Sequence, residues 1–170
     1  RAASELEQLQ DFWRGQATEL RAFLRSMRPI EVNGTELVAS ISRLVETFEK
    51  DTGIAATFTG RGSFEPPEPE QALEILQLVR EALHNVRKHS GANRVAVSVE
   101  RSNGDLDIRI EDNGTGFSFG GAYSLDELEM LRLGPASIKR RVRAVNGNLV
   151  LESRPGRGAG LRIRIPQQAV

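Results

Sequence analysis

Glu81-Ala82-Leu83-His84-Asn85-Val86-Arg87-Lys88-His89 is the stretch on which the reading of this 170-residue chain turns. At 100° per residue, Leu76, Val79, Leu83 and Val86 fall on one side of a helix predicted over residues 70–90. Glu81, Asn85 and Lys88 form a narrow stripe on the other side. The helix therefore buries one face and offers an acid, an amide and a base on the opposite one. Gly91 ends it. About two dozen residues later Asp112-Asn113-Gly114-Thr115-Gly116 makes a tight acidic turn after an apolar alternating run.

Working outward, residues 94–100 and 106–111 alternate as strands, joined through Asn103-Gly104, a strong hairpin signal. Residues 118–133 open on Gly120-Gly121 and have weak periodicity, the profile of a mobile loop with room for one helical turn. Residues 136–145 read as a helix with Pro135 at its first turn. Asn146-Gly147 and the glycine-rich run 154–160 bracket a terminal hairpin of strands 148–153 and 161–165. Upstream, Thr35 is a candidate N-cap for a helix whose apolar face is Leu37, Ile41, Leu44, Val45 and Phe48, with Gly53 as its C-terminal stop. Residues 54–59 are β-prone, and 60–69, with Pro66, Pro67 and Pro69, form a connecting loop. Leu6, Leu9, Trp13, Leu20, Phe23 and Met27 make a heptad-like seam that Pro29 ends. Periodicity alone leaves open whether that seam packs on its own domain or forms half of a helical bundle. The element order predicts an α+β fold: a two-layer α/β sandwich with a mixed, mostly antiparallel sheet covered by helices on one face, preceded by one long helix.

Composition excludes several classes. Lys plus Arg balances Asp plus Glu at 23 each, so net charge gives no argument for a nucleic-acid or membrane partner. The basic bunches at 139–143 and 154–164 read first as a solvated helix face and a solvated strand edge. With no cysteine there is no disulfide framework or thiolate zinc site, in keeping with a reducing compartment. Both histidines sit in one short helix, which argues against a separate histidine-rich metal site. No apolar run is long enough to span a bilayer. The chain has neither an initiator Met nor a signal-peptide pattern, and reads as a piece of something longer.

The chemistry of the two stretches is complementary. A D-x-G-x-G turn occurs in ordinary hairpins, but its glycines let backbone approach a flat or anionic ligand, and its carboxylate can accept a hydrogen bond from an exocyclic amine such as that of adenine. An Asn in mid-helix is most often simply exposed. Its carbonyl oxygen is also a hard, neutral ligand suited to a magnesium ion that bridges phosphates and keeps most of its water. Lys88 is placed to meet phosphate charge, and Glu81 to polarise a nucleophile or hold a metal-bound water. Taken singly, Lys88 and His89 are better read as solvated surface.

Residues 81–92 resemble the N box of the GHKL (Bergerat-fold) ATPases in the form found in bacterial sensor histidine kinases, and Asp112-Asn113-Gly114-Thr115-Gly116-Phe117 resembles their first glycine box. The order and separation of the two match, Pro155-Gly156-Arg157-Gly158 is also similar, and the likeness runs from about Gly34 to the end. Residues 1–29 look like the second helix of a dimerisation and histidine-phosphotransfer hairpin, leaving 30–170 as the ATP-binding catalytic domain.

The resemblance implies that Asn85 coordinates Mg2+, Lys88 and His89 stand near the phosphates of ATP, and Asp112 recognises the adenine amine. Gly114, Gly116 and Phe117 shape the pocket, Gly134 and Ser137 represent the second glycine box, and 118–133 is the lid. Glu81 matches the water-activating acid of the hydrolytic relatives. The γ-phosphate would go to a histidine upstream of this fragment, neither His84 nor His89, and on to an aspartate of a response-regulator receiver domain. The whole protein is expected to be a cytoplasmic homodimer, or the cytoplasmic portion of a membrane-anchored sensor, without direct nucleic-acid binding. The pattern departs from the family in Gly134-Pro135-Ala136-Ser137, where a G-x-G-x run is usual, and in Ala159-Gly160, where a hydroxyl residue is common. The alternatives are a degenerate GHKL module that regulates through interaction, supported by Pro135, and an anti-sigma-type serine kinase, which the heptad seam disfavours.

Overall fold

The computed structural model describes residues 36–62 and 67–167. The heptad seam, its assignment to a phosphotransfer hairpin and the Thr35 cap lie outside the described residues. In chain order the elements are α1 (Leu37–Thr52), β1 (Ala55–Arg61), α2 (Pro69–Asn85) continued by a π-helical turn (Val86–Ser90), β2 (Arg94–Ser102) and β3 (Asp105–Asp112). There follow β4 (Gly121–Ser124), α3 (Leu125–Met130), α4 (Ala136–Ala144), β5 (Asn148–Arg154) and β6 (Gly158–Ile165). The six strands form one sheet in the order β1-β2-β3-β6-β5-β4. Only β1 and β2 run parallel; every other pair is antiparallel.

Local chemistry sets the ends of these elements. α1 stops at Gly53, whose φ of 72° is left-handed and whose amide donates to the Glu49 carbonyl. α2 begins with Pro69 in its first turn, where a missing N–H costs nothing. The β2–β3 connection places Asn103 and Gly104 at φ 53° and 86°, the paired positive angles of a type I′ hairpin. β1 runs on to Arg61, so the strand claims two residues expected in the loop.

One face of the sheet carries the core. Val95, Val97 and Val99 of β2, Leu106, Ile108 and Ile110 of β3, Leu149 and Leu151 of β5, and Ile163 and Ile165 of β6 are all buried. They meet the apolar faces of α1, α2 and α4. On α2 the buried set is wider than expected: Ala72, Ile75, Leu78 and Ala82 join Leu76, Val79 and Leu83. That arc covers roughly 160° of the helix. The polar stripe therefore sits at its border, and Glu81 and Asn85 are half-buried while Lys88 is exposed.

The opposite sheet face has no helix on it among the described residues. Its centre is Asp107, only 3% exposed, which accepts hydrogen bonds from Arg109 Nε at 3.1 Å and from Arg162 Nε and Nη2 at 3.1 Å. Burial alone pushes this carboxyl's pKa up. The two arginines outweigh it and hold the group below the ordinary carboxylate range.

The stretch 118–133 corrects the expectation of a mobile loop. It adds β4 as an edge strand on β5 and then forms α3. The reason is a capping box: Ser124 Oγ accepts from the Glu127 amide, and the Glu127 carboxylate accepts from the Ser124 amide at 2.7 Å. Leu125 and Leu128 are buried, and the Lys139 ammonium donates to the Leu133 carbonyl at 2.8 Å, tying the segment to α4. No helix among the described residues is long and apolar enough to cross a membrane. Replacing Ser124 with Ala removes the N-cap and is expected to cost about 1 kcal/mol in urea unfolding, with Ser124→Thr recovering most of it; equal losses for both would show that the cap does not hold this segment.

Candidate functional site

Three backbone approaches build the site. The π-helical turn ends α2 with Ser90, whose hydroxyl donates to the Val86 carbonyl at 2.7 Å and accepts from the Ala92 amide at 3.0 Å. Its own carbonyl accepts from the Thr115 amide at 2.7 Å. That contact requires glycine at 114: a Cβ there would lie 2.2 Å from the Ser90 oxygen. Asn113 fastens the same turn from the other side, its Oδ1 accepting from the Arg94 amide at 3.0 Å while its Nδ2 donates to Asn93 Oδ1 at 2.7 Å.

The β5–β6 hairpin closes the turn from below. Gly116 has φ +69°, and a Cβ on it would come within 2.9 Å of the Gly158 and Arg154 carbonyls. A Cβ on Gly158 would sit 2.0 Å from the Asp112 carbonyl. The Gly156 amide donates to the Thr115 carbonyl at 2.6 Å, and the Phe117 amide to the buried Ser153 hydroxyl at 2.9 Å. Phe117 stacks on Phe119 at 5.2 Å, and Phe119 meets Tyr123 edge-on at 5.5 Å, which ties Phe117 to β4.

Between these walls lies a cavity of about 380 Å3. Of the residues singled out in the sequence, it brings together Asn85, His89, Asp112, Gly116, Phe117 and Gly134. Four others stand outside the lining. Gly114 is buried against Ser90, Lys88 points to solvent, and Glu81 and Ser137 meet each other, the Ser137 hydroxyl donating to Glu81 Oε1 at 2.8 Å. Pro135, Ala159 and Gly160, noted in the sequence only as departures from the family pattern, also line it, and sequence reasoning missed Ala82, Val86, Ser90, Ile110 and Leu161, which complete the lining. Ala82 and Val86 were readable as neighbours of Asn85 on the helix. Ile110 and Leu161 are partners in the β3–β6 register, as are Asp112 and Ala159, and nothing in the local sequence announces that pairing.

Two polar groups in this mostly apolar lining lack compensation. The Asn85 Nδ2 is buried without a hydrogen-bond partner, which costs about 1–3 kcal/mol unless something else supplies one. Burial raises the Asp112 pKa above the ordinary carboxylate range, only partly opposed by hydrogen bonds from the Gly114 and Ala159 amides. Gly114 N stands 2.8 Å from Asp112 Oδ1. A desolvated acceptor at Asp112 beside an apolar slot suits a flat ligand with an exocyclic donor, and the Asn85 side chain in the same lining suits a polar tail.

A divalent ion is compatible with this set in a particular way. Among the described residues no group of three or more His, Asp or Glu side chains is arranged to hold a metal ion. A single amide oxygen at Asn85 suits Mg2+ whose other ligands are phosphate oxygens and water.

Residues 70–169 match the family model described as histidine kinase-, DNA gyrase B-, and HSP90-like ATPase. Among curated proteins, the signal transduction histidine-protein kinase/phosphatase DegS of Brevibacillus brevis is 32% identical over 97% of this chain and 41% of its own length. The sensor histidine kinase LiaS of Bacillus subtilis is 28% identical over 87% of this chain and 39% of its own. The chain thus spans about two fifths of the curated relatives it matches. Among solved structures, the ATP binding domain of PrrB from Mycobacterium tuberculosis superposes with a TM-score of 0.58 at 26% identity, over 81% of this chain and 96% of that one.

The Asp112 carboxylate is strained in the free protein, and the sign of its effect follows from the shift. A folded-state pKa above the unfolded value favours folding at low pH and is lost as pH rises through the raised value. Asp112→Asn, which keeps the oxygen that accepts from Gly114, should therefore be more stable than the parent at pH 7 without ligand. The gain should vanish as pH falls below the ordinary carboxylate range. Urea melts across pH 3–8 check this; a variant less stable at pH 7 would contradict the desolvation argument.

Proposed function

Because the chain belongs to the histidine kinase-, DNA gyrase B-, and HSP90-like ATPase family, we propose that it binds Mg-ATP in the cavity between α2 and the Asp112 turn and serves as the catalytic domain of a sensor histidine kinase. The observation that carries the reading is the placement of a desolvated Asp112 and the Asn85 side chain in the lining of one apolar slot. In this reading Asp112 accepts the adenine 6-amine, and Ile110, Val86 and Leu161 exclude water from the base. Phe117 and Gly116 form the rim. Asn85 would hold Mg2+ through its amide oxygen, and the ion, when bound, would supply neutralisation of phosphate charge. Gly134 and Pro135 stand over the phosphate end, with His89 and the exposed Lys88 at its mouth. Catalysis of this kind is positioning plus charge neutralisation, with little covalent work left to the protein.

In the whole protein the γ-phosphoryl group goes to a histidine on a separate phosphotransfer helix, since His84 and His89 belong to the nucleotide helix itself. From there it passes to a response-regulator aspartate, in a homodimer whose catalytic domains face the cytoplasm. The names of the curated relatives support the histidine-kinase element of this reading, and the heptad-like seam at Leu6 to Met27 in the sequence is consistent with a phosphotransfer hairpin.

Mg-ATP should raise Tm by mass action. At a hundredfold excess over Kd the stabilisation is about 2.7 kcal/mol, or roughly 5–10 °C for a chain of this size. Asn85→Ala and Asp112→Asn should each abolish the shift. A wild-type Tm unmoved by millimolar Mg-ATP would overturn the catalytic reading and leave a module that works by interaction alone. A second outcome concerns the full-length protein, which should incorporate label from γ-labelled ATP as an acid-labile, base-stable phosphate; intact nucleotide binding without that product would contradict the kinase assignment.

A further inference from the structure

Glu81 is the carboxylate one helical turn before Asn85, on the same stripe of α2, and so the acid beside the residue proposed to meet Mg2+. A carboxylate there is suited to take a proton from water beside a bound phosphate. Yet Glu81 does not line the cavity. Its Oε1 accepts from the Ser137 hydroxyl at 2.8 Å across the α2–α4 interface, and Ser137 does not line the cavity either. One turn further along α4, Arg141 Nη1 pairs with Glu74 Oε2 at 3.0 Å, two turns back along α2. The two links run antiparallel and fix the register of α4 against α2, so the Ser137 hydroxyl is held in place to keep its hold on Glu81.

The other titratable residues of the lining are poor substitutes. Asp112 is tied to the Gly114 and Ala159 amides at the base end. His89 sits at the exposed mouth.

From this geometry we infer that Ser137 is a positioning residue that sets the choice of phosphoryl acceptor: by holding the Glu81 carboxylate at the α2–α4 interface it keeps bound ATP from being spent on water. The inference rests on the proposed Mg-ATP site. The suppressed reaction is ordinary hydrolysis. A water oxygen forms a bond to the γ-phosphorus, the bond from that phosphorus to the β,γ-bridging oxygen breaks, its electron pair leaves with ADP, and the water proton passes to a Glu81 oxygen. With Ser137 in place Oε1 is engaged and the carboxylate is held toward α4. Nothing in this arrangement opposes transfer to an acceptor that brings its own nucleophile to the γ-phosphate.

The test is steady-state release of inorganic phosphate from Mg-ATP by the full chain. Ser137→Ala frees the carboxylate and should raise kcat for hydrolysis roughly a hundredfold, the lower end of the range for a positioned general base, with KM little changed. Ser137→Thr, which keeps a hydroxyl, should remain at the parent rate. Ser137→Ala combined with Glu81→Gln should fall back to it, a reversal that mere loosening of α4 would not give. A Ser137→Ala rate equal to the parent's, or one that persists in the double variant, would overturn the inference. The thermal shift with Mg-ATP separates this from failure of the site itself: a shift retained in Ser137→Ala without faster hydrolysis refutes the role of Ser137 alone, whereas no shift in the parent refutes the underlying reading.

Discussion

The carbonyl of Ser90 is the atom on which the arrangement depends. It belongs to the last residue of the π-helical turn that ends α2, accepts the Thr115 amide at 2.7 Å, and stands where any side chain at 114 would collide with it. A π-turn places an extra residue in the ladder and reorients the last carbonyls, a device common at functional sites. Here it lets the helix end dock on the glycine turn without an intervening side chain. The distance between Asn85 and Asp112 is therefore set by main chain against main chain, which is stiffer than any side-chain contact. The β5–β6 hairpin braces the turn from below through Gly116, Gly156 and Gly158. The cost is a set of positions that admit almost no substitution.

Stability and function pull in opposite directions within the cavity. A hydrophobic slot lined by Ala82, Val86, Ile110 and Leu161 favours folding, while the Asn85 amide and the Asp112 carboxylate in the same slot do not. Contrast Asp107 on the open sheet face. It is more deeply buried, yet Arg109 and Arg162 more than compensate its desolvation. The fold can thus satisfy a buried acid when it needs only structure. Leaving Asp112 with backbone amides alone preserves a free acceptor for a ligand, and the free protein bears the penalty.

Much of this was legible in residues. The period of 3.6 over Leu76, Val79, Leu83 and Val86 located the central helix, Asn103-Gly104 located the hairpin, and Gly53 located the end of α1. The fold class followed from the order of elements. What failed was the stretch 118–133, where weak periodicity suggested a loop. Its Ser124-Leu125-Asp126-Glu127 capping box was a readable signal, but a helix of only six residues gives periodicity too little length to register. The site was legible on the helix and the glycine turn because each is local. The floor formed by Ile110, Ala159, Gly160 and Leu161 was not, because it arises from the long-range register of β3 on β6, and strand pairing leaves no mark in either strand alone. Ser137 stood out in the sequence as a second-glycine-box residue, but only tertiary packing revealed that its hydroxyl faces Glu81.

The central claim is that α2 and the Asp112 turn are two walls of one nucleotide site, and amide chemical-shift mapping of the isotope-labelled chain during titration with Mg-ATP tests it most directly. The expected result is a set of saturable shifts concentrated at Asn85, His89, Asp112, Gly116, Phe117 and Gly134, with the Asp107 face unmoved. Saturable shifts clustered on the Asp107, Arg109 and Arg162 face, with the cavity residues silent, would contradict it.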